Sequence, residues 1–81
     1  MTNTSTKGQG SPYSHFYHIT FRKGDKKWYA LEVHGGREKS FDTEKEAAGQ
    51  VEKWVDEQGI SGEAHVTIHD EHGKIRETRT I

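Results

Sequence analysis

Six histidines and no cysteine set the terms for any chemistry this chain could do. His65, His69 and His72 look like a metal-ligand cluster when written in a line. Without thiolates, zinc would have to rest on imidazole and carboxylate alone. Spacing decides against it: two histidines four apart clasp one ion on a helix, but on a strand they lie about 13 Å apart. The surrounding residues alternate as a strand does. Only His69 and His72 across the turn, or either of them with His15 or His34 from another strand, are then expected to meet. The plainer reading of these side chains is exposed strand histidines, so no metal and no cofactor is expected.

Catalysis finds no better footing. No serine stands in a nucleophile motif, and no glycine loop is built to cradle phosphate. Gly8-x-Gly10 and Gly35-Gly36 are too short to count. The carboxylates lie among charged, solvated neighbours that would not shift their pKa values. A chain of 81 residues also has little room for a closed pocket. The reading is a protein that is not an enzyme and has no evident small-molecule substrate.

Two binding chemistries remain. Arg22, Lys23, Lys26, Lys27, Arg37 and Lys39 cluster around a first hairpin and are interleaved with Phe21, Trp28 and Tyr29. That pattern joins phosphate contacts to base stacking and makes nucleic acid the alternative partner. Against it, the isoelectric point is about 6.6, whereas dedicated nucleic-acid domains are clearly basic. The other chemistry is protein docking through Tyr17, Phe21, Trp28, Tyr29, Leu31 and Val33, because aromatic side chains in a two-faced hairpin suit a protein interface. The favoured reading is a non-catalytic protein-interaction module that associates with itself, as a homodimer, or with a larger protein.

The elements that hold these residues follow from periodicity. Only 28% of the chain is hydrophobic and 31% is charged, so one small domain with a thin core is expected, and oligomerisation would add burial. Residues 1–14 are mostly Thr, Ser, Asn, Gly and Gln and read as a disordered arm; residues 15–81 form the domain. Residues 15–22 alternate as a strand, with His15, Tyr17, Ile19 and Phe21 on one face and Phe16, His18, Thr20 and Arg22 on the other. After a turn at Gly24-Asp25, residues 28–34 form a second strand. Its Tyr29, Leu31 and Val33 make one apolar face, while Trp28 and Ala30 start another. Both faces of this hairpin are therefore expected to be covered, one by a helix and one by a partner subunit, unless Trp28 folds over the sheet edge.

Gly35-Gly36 ends the second strand, and residues 37–40 lead into the helix. Thr43 with Glu46 fits a capping box. Ala47, Ala48, Val51, Trp54 and Val55 recur at helical spacing, and Gly59 is placed to end the helix with Ile60 as the apolar contact beyond it. Gly49, costly inside a helix, is expected to let the helix approach the sheet. Residues 63–70 read as a third strand with Ala64, Val66 and Ile68 inward. The stretch 70–73 reads as a hairpin turn with Gly73 left-handed, and 74–81 as a basic edge strand. The fold class is α+β, ordered β-β-α-β-β, with one helix packed on a four-stranded, mainly antiparallel sheet.

Charge divides along the chain. Residues 1–40 carry seven Lys/Arg and three acids, and residues 41–81 carry five and ten. One positive and one negative surface follow if the halves do not interleave in space. The longest apolar runs are three or four residues, far short of a membrane span, and the first residues lack the apolar core of a signal peptide. A cytoplasmic protein is expected, with no membrane partner.

Tyr17-His18-Ile19, Trp28-x-Ala30, Ser40-Phe41-Asp42-Thr43-x-x-Glu46-Ala47 and Val66-x-Ile68-His69-x-x-x-Gly73-Lys74-Ile75-Arg76 occur in that order over residues 16–79. In this the chain resembles the small prokaryotic and phage-associated proteins grouped as domain of unknown function 2188. It departs from them in the apolar Leu31/Val33 stripe and in a longer loop before the third strand. The resemblance implies this fold and a prokaryotic or phage context. It implies no activity and supplies no catalytic residue.

Overall fold

In the computed structural model, which describes residues 15–81, one helix packs on a five-stranded sheet. The arm expected over 1–14 lies outside the described residues. The elements are β1 (Phe16–Arg22), β2 (Lys27–Glu32), β3 (Glu38–Phe41), α1 (Glu44–Gln58), β4 (His65–His69) and β5 (Ile75–Thr80). The spatial order is β3-β2-β1-β4-β5. β1 pairs antiparallel with β2 and parallel with β4, and β2–β3 and β4–β5 are antiparallel. The sheet is therefore mixed, and the α+β architecture is the one that periodicity implies. It has one strand more than the sequence pattern gives. The segment Glu38-Lys39-Ser40 has no apolar alternation, and its extended form comes from backbone pairing with β2, Ala30 facing Lys39 and Trp28 facing Phe41.

Helix α1 forms where its end signals place it. The Thr43 side chain accepts from the Glu46 amide at 3.2 Å, and the Glu46 carboxylate takes the Thr43 amide at 3.2 Å. Two N–H groups that a helix start leaves without partners are thereby satisfied. At the far end Gly59 turns left-handed at φ 67°, and the Ile60 amide reaches back to the Val55 carbonyl at 3.2 Å. Ile60 is buried there, as the Schellman arrangement favours.

The core lies between α1 and one sheet face. From the sheet come Tyr17, Ile19, Ala30, Val66 and Ile68, and from the helix Ala47, Val51, Trp54 and Val55. β1 is the central strand, and Tyr17 and Ile19 on it are each only 1% exposed. Close approach of helix to sheet comes from two small residues with no exposure at all, Ala30 and Ala47. Gly49 does not have the role expected of it. It is exposed, and a Cβ built there meets nothing within 4 Å.

In the β4–β5 hairpin the Asp70 carboxylate accepts from the amides of His72 at 2.8 Å and Lys74 at 3.0 Å. Those amides hold its pKa below the usual carboxylate value. Gly73 supplies the left-handed residue, φ 86°. A bulge at Ile68/His69 shifts the register so that Ile75 stands opposite His69. No helix among the described residues is long and apolar enough to cross a membrane.

Candidate functional site: the uncovered sheet face

Alternation sends every second side chain of the sheet away from α1. β1 contributes Phe16, His18, Thr20 and Arg22 to that side, β2 contributes Tyr29 and Leu31, and β4 contributes His65, Thr67 and His69. Nothing among the described residues packs over this face. Phe16 is 38% exposed, and Val33, just beyond β2, is 48% exposed. The two are joined by a bond from the Val33 amide to the Phe16 carbonyl at 3.0 Å. Phe16 stacks on His65, centroids 5.4 Å apart, and leans against His34 at 6.4 Å. One corner of the face is thus an exposed aromatic and aliphatic cluster.

Beside it, His18 and His69 meet. Their nearest ring nitrogens, His18 Nδ1 and His69 Nε2, are 3.0 Å apart. The ring planes differ by 17° and the centroids lie 5.2 Å apart. A hydrogen bond directed in the ring plane gives a centroid separation of about 5 Å, so the rings bond edge to edge instead of stacking face on face. The Gly73 carbonyl lies 3.3 Å from His69 Nδ1. A carbonyl only accepts, so His69 donates through Nδ1 and accepts through Nε2, and His18 donates to it from Nδ1. Burial, and secondarily the neighbouring His69, lowers the His18 pKa. The sequence pointed His69 toward His72, His15 or His34 instead. The parallel β1–β4 register, with His18 opposite Thr67, sets His69 one diagonal step from His18. Among the described residues no three His, Cys, Asp or Glu side chains converge as metal ligands would.

The six docking candidates divide between the two faces. Tyr17 is core, its ring against Trp54 with centroids 6.2 Å apart and its hydroxyl accepting from Gln58 Nε2 at 3.2 Å. Phe21 and Trp28 are half-buried on the helix side, packed on each other at 5.3 Å. Tyr29 and Leu31, both half-buried, and the exposed Val33 belong to the open side. Phe16, His18, His65 and His69 complete that side, and alternation with β1 and β4 was the signal that could have named them.

Half of the six basic candidates are paired with carboxylates where the hairpin folds. Arg22 pairs with Glu38 at 3.3 Å and lies over the Tyr29 ring, 4.0 Å from its centroid. Lys27 pairs with Asp42 at 2.5 Å. Arg37 grips Glu32 through two bonds of 2.8 and 2.9 Å and covers the Trp54 ring at 4.8 Å. Lys23, Lys26 and Lys39 make no ion pair among the described residues. The strands from the basic half of the chain do lie together, β3-β2-β1 on one side and β4-β5 on the other. Glu32, Glu38 and Asp42 nevertheless sit among the cations and cancel much of the charge. Tyr29 donates its hydroxyl to Asp25, and that bond raises its pKa, with burial adding to the rise.

At the end of β1 and β2, His15, Phe16, Tyr17, Glu32, His34, Gly35 and Gln58 line an open cleft of about 290 Å³. Its polar wall includes Gln58 and Glu32, 3.2 Å apart, and Arg37 bonds Glu32 from beyond the lining. The Glu32 carboxylate fills the space a Cβ at Gly35 would need. Bonding to Arg37 holds the Glu32 pKa low against the opposing effect of burial. These groups are satisfied by one another, and the network ties the end of the helix to the sheet.

The fold and this face together define a small α+β domain with one side of its sheet left uncovered by the described residues. The chain matches no protein-family model, no curated protein and no solved structure.

Proposed function

We propose that this chain is a non-catalytic protein-interaction module that docks through the open sheet face and associates with itself. The observation that carries the reading is the exposed Phe16/Val33 corner, continuous with Leu31 and Tyr29 on a face that no element among the described residues covers. An apolar and aromatic cluster of this kind, rimmed by threonines and histidines, is the anatomy of a docking surface. The resemblance noted above supports a prokaryotic or phage setting, in which a cytoplasmic module of this size would act as a regulator or inhibitor of a larger protein. The nucleic-acid alternative loses support from ion pairing, since Arg22, Lys27 and Arg37 already have carboxylate partners.

Sedimentation velocity over a concentration series tests the reading. The wild type is expected to form a dimer, and a dimer held by the open face is weakened by Val33→Asp with Phe16→Ser while circular dichroism stays native. A wild type that remains monomeric at the highest concentration would remove the self-association. A dimer indifferent to both substitutions would remove the open face as its site.

A further inference from the structure

β5 is an edge strand, and all six of its residues are exposed. Ile81 and Ala64 exchange two N–H···O bonds of 2.9 and 3.2 Å. In an antiparallel ladder such doubly bonded pairs alternate with unbonded ones. Arg79, opposite Val66, and Glu77, opposite Ile68, therefore turn their backbone groups toward β4, whereas Thr78 and Thr80 turn theirs outward. A further strand can bond β5 only through that outward set.

For β5 meeting its own copy about a two-fold axis, this rule restricts the register. With residue 77 on the axis, Glu77 faces Glu77. With residue 79 on the axis, Arg79 faces Arg79. With Thr78 on the axis, Glu77 faces Arg79 twice and Thr78 faces Thr78, all on the regular side of the bulge beside Ile68/His69. Opposite charges and threonine pairs directly across strands are favourable, and like charges are not. Within one chain Arg79 Nε already lies 3.1 Å from Glu77 Oε2, so the dimer would hold four charges alternating in sign around the axis.

The other edge fails the same comparison. The Glu32 amide bonds the Arg37 carbonyl at 2.8 Å, so in β3 the outward groups are those of Glu38 and Ser40. Self-pairing there about residue 38 opposes Glu38 to itself, about residue 39 opposes Lys39 to itself, and about residue 40 opposes Glu38 to Asp42. Registers about residues 38, 39 and 40 set like charges against each other, and the one about residue 41 sets Phe41 on Phe41 but gains no opposite-charge pair.

We propose that β5 pairs antiparallel with β5 of a second copy of this chain, with Thr78 on the two-fold axis. Two five-stranded sheets become one continuous sheet, with both helices on one side and both open faces on the other. This places the self-association proposed above at the β5 edge, leaves both open faces free to dock a larger protein, and rests on that reading only for the self-association itself.

Charge exchange in sedimentation velocity on the full chain tests it. Glu77→Arg alone opposes Arg to Arg79, and Arg79→Glu alone opposes Glu to Glu77, so each variant is expected to run as a monomer where the wild type is dimeric. An equimolar mixture of the two restores both opposite-charge pairs and is expected to recover the dimer. Thr78→Pro removes an outward N–H, leaves the β4 ladder intact and is expected to weaken dimerisation about tenfold or more, with circular dichroism and Tm confirming a native fold. Single charge variants that stay dimeric, or a mixture that stays monomeric, overturn the register. A dimer broken by Val33→Asp and unmoved by all the β5 substitutions overturns the edge pairing and leaves the open-face reading standing. A monomeric wild type overturns the edge pairing and the self-association together.

Discussion

Replacing Gly49 with alanine should stabilise the domain. Gly49 lies inside α1, where glycine is about 1 kcal/mol less favourable than alanine because the unfolded chain has more freedom to lose. A glycine in such a place is normally retained because a Cβ would collide with a neighbour. Here the Cβ meets nothing within 4 Å and the residue is exposed, so nothing offsets the gain. For a domain of this size 1 kcal/mol corresponds to a rise in Tm of about 4–8 °C. Thermal unfolding followed by helical ellipticity reads it directly. Ala47→Gly serves as the control: it loses the same propensity and in addition removes a fully buried methyl, so its Tm should fall. A Gly49→Ala variant with unchanged or lowered Tm would refute the reasoning, because something would then have to stand against that face of the helix. The substitution should also leave dimerisation untouched, since Gly49 belongs to neither the open sheet face nor β5.

Removing the helix cap with Thr43→Ala should cost about 1 kcal/mol, seen as a lower midpoint in urea at unchanged m-value. Arg37→Ala strips the Glu32 carboxylate, whose side chain is only 12% exposed, of its two guanidinium bonds and uncovers Trp54; a loss of about 1–3 kcal/mol is expected in the same assay. The His18 pKa is lowered in the folded chain, so the unfolded chain takes up the proton first as pH falls. His18 thus contributes stability above the ordinary histidine pKa of about 6.5, and that contribution is lost as pH drops through and below this value. Tm measured from pH 8 to pH 5 should fall for the wild type and fall less for His18→Gln.

Much of the fold is legible in the sequence, for reasons that can be named. Thr43 with Glu46, the apolar spacing from Ala47 to Val55, and Gly59 leave α1 little choice of ends. Two-residue alternation places Tyr17 and Ile19 on one face and Phe16 and His18 on the other. β3 is not legible, because Glu38-Lys39-Ser40 is extended by pairing with β2 and carries no pattern of its own. The site is half legible. β2 is apolar on both sides, and sequence alone does not say which side takes the helix. Packing decides it: Ala30 is small enough to lie under α1, which makes Trp28 and Tyr17 inner and leaves Tyr29, Leu31 and Val33 outside. The His18–His69 bond depends on β4 lying parallel to β1, a contact between strands separated by a helix and two other strands, and no local signal encodes it.

The central claim is that the sheet face, and not the helix, is the surface through which this chain binds. Solvent paramagnetic relaxation of assigned NMR resonances, followed from low to high protein concentration, measures this residue by residue. On association, the sheet residues should become shielded, Phe16, Tyr29, Leu31 and Val33 if the open face is the contact or Thr78 and Thr80 if the β5 edge is, while Lys45, Glu52, Lys53 and Asp56 on the outer side of α1 stay as accessible as before. Shielding of those helix residues with the sheet face unchanged would contradict the account.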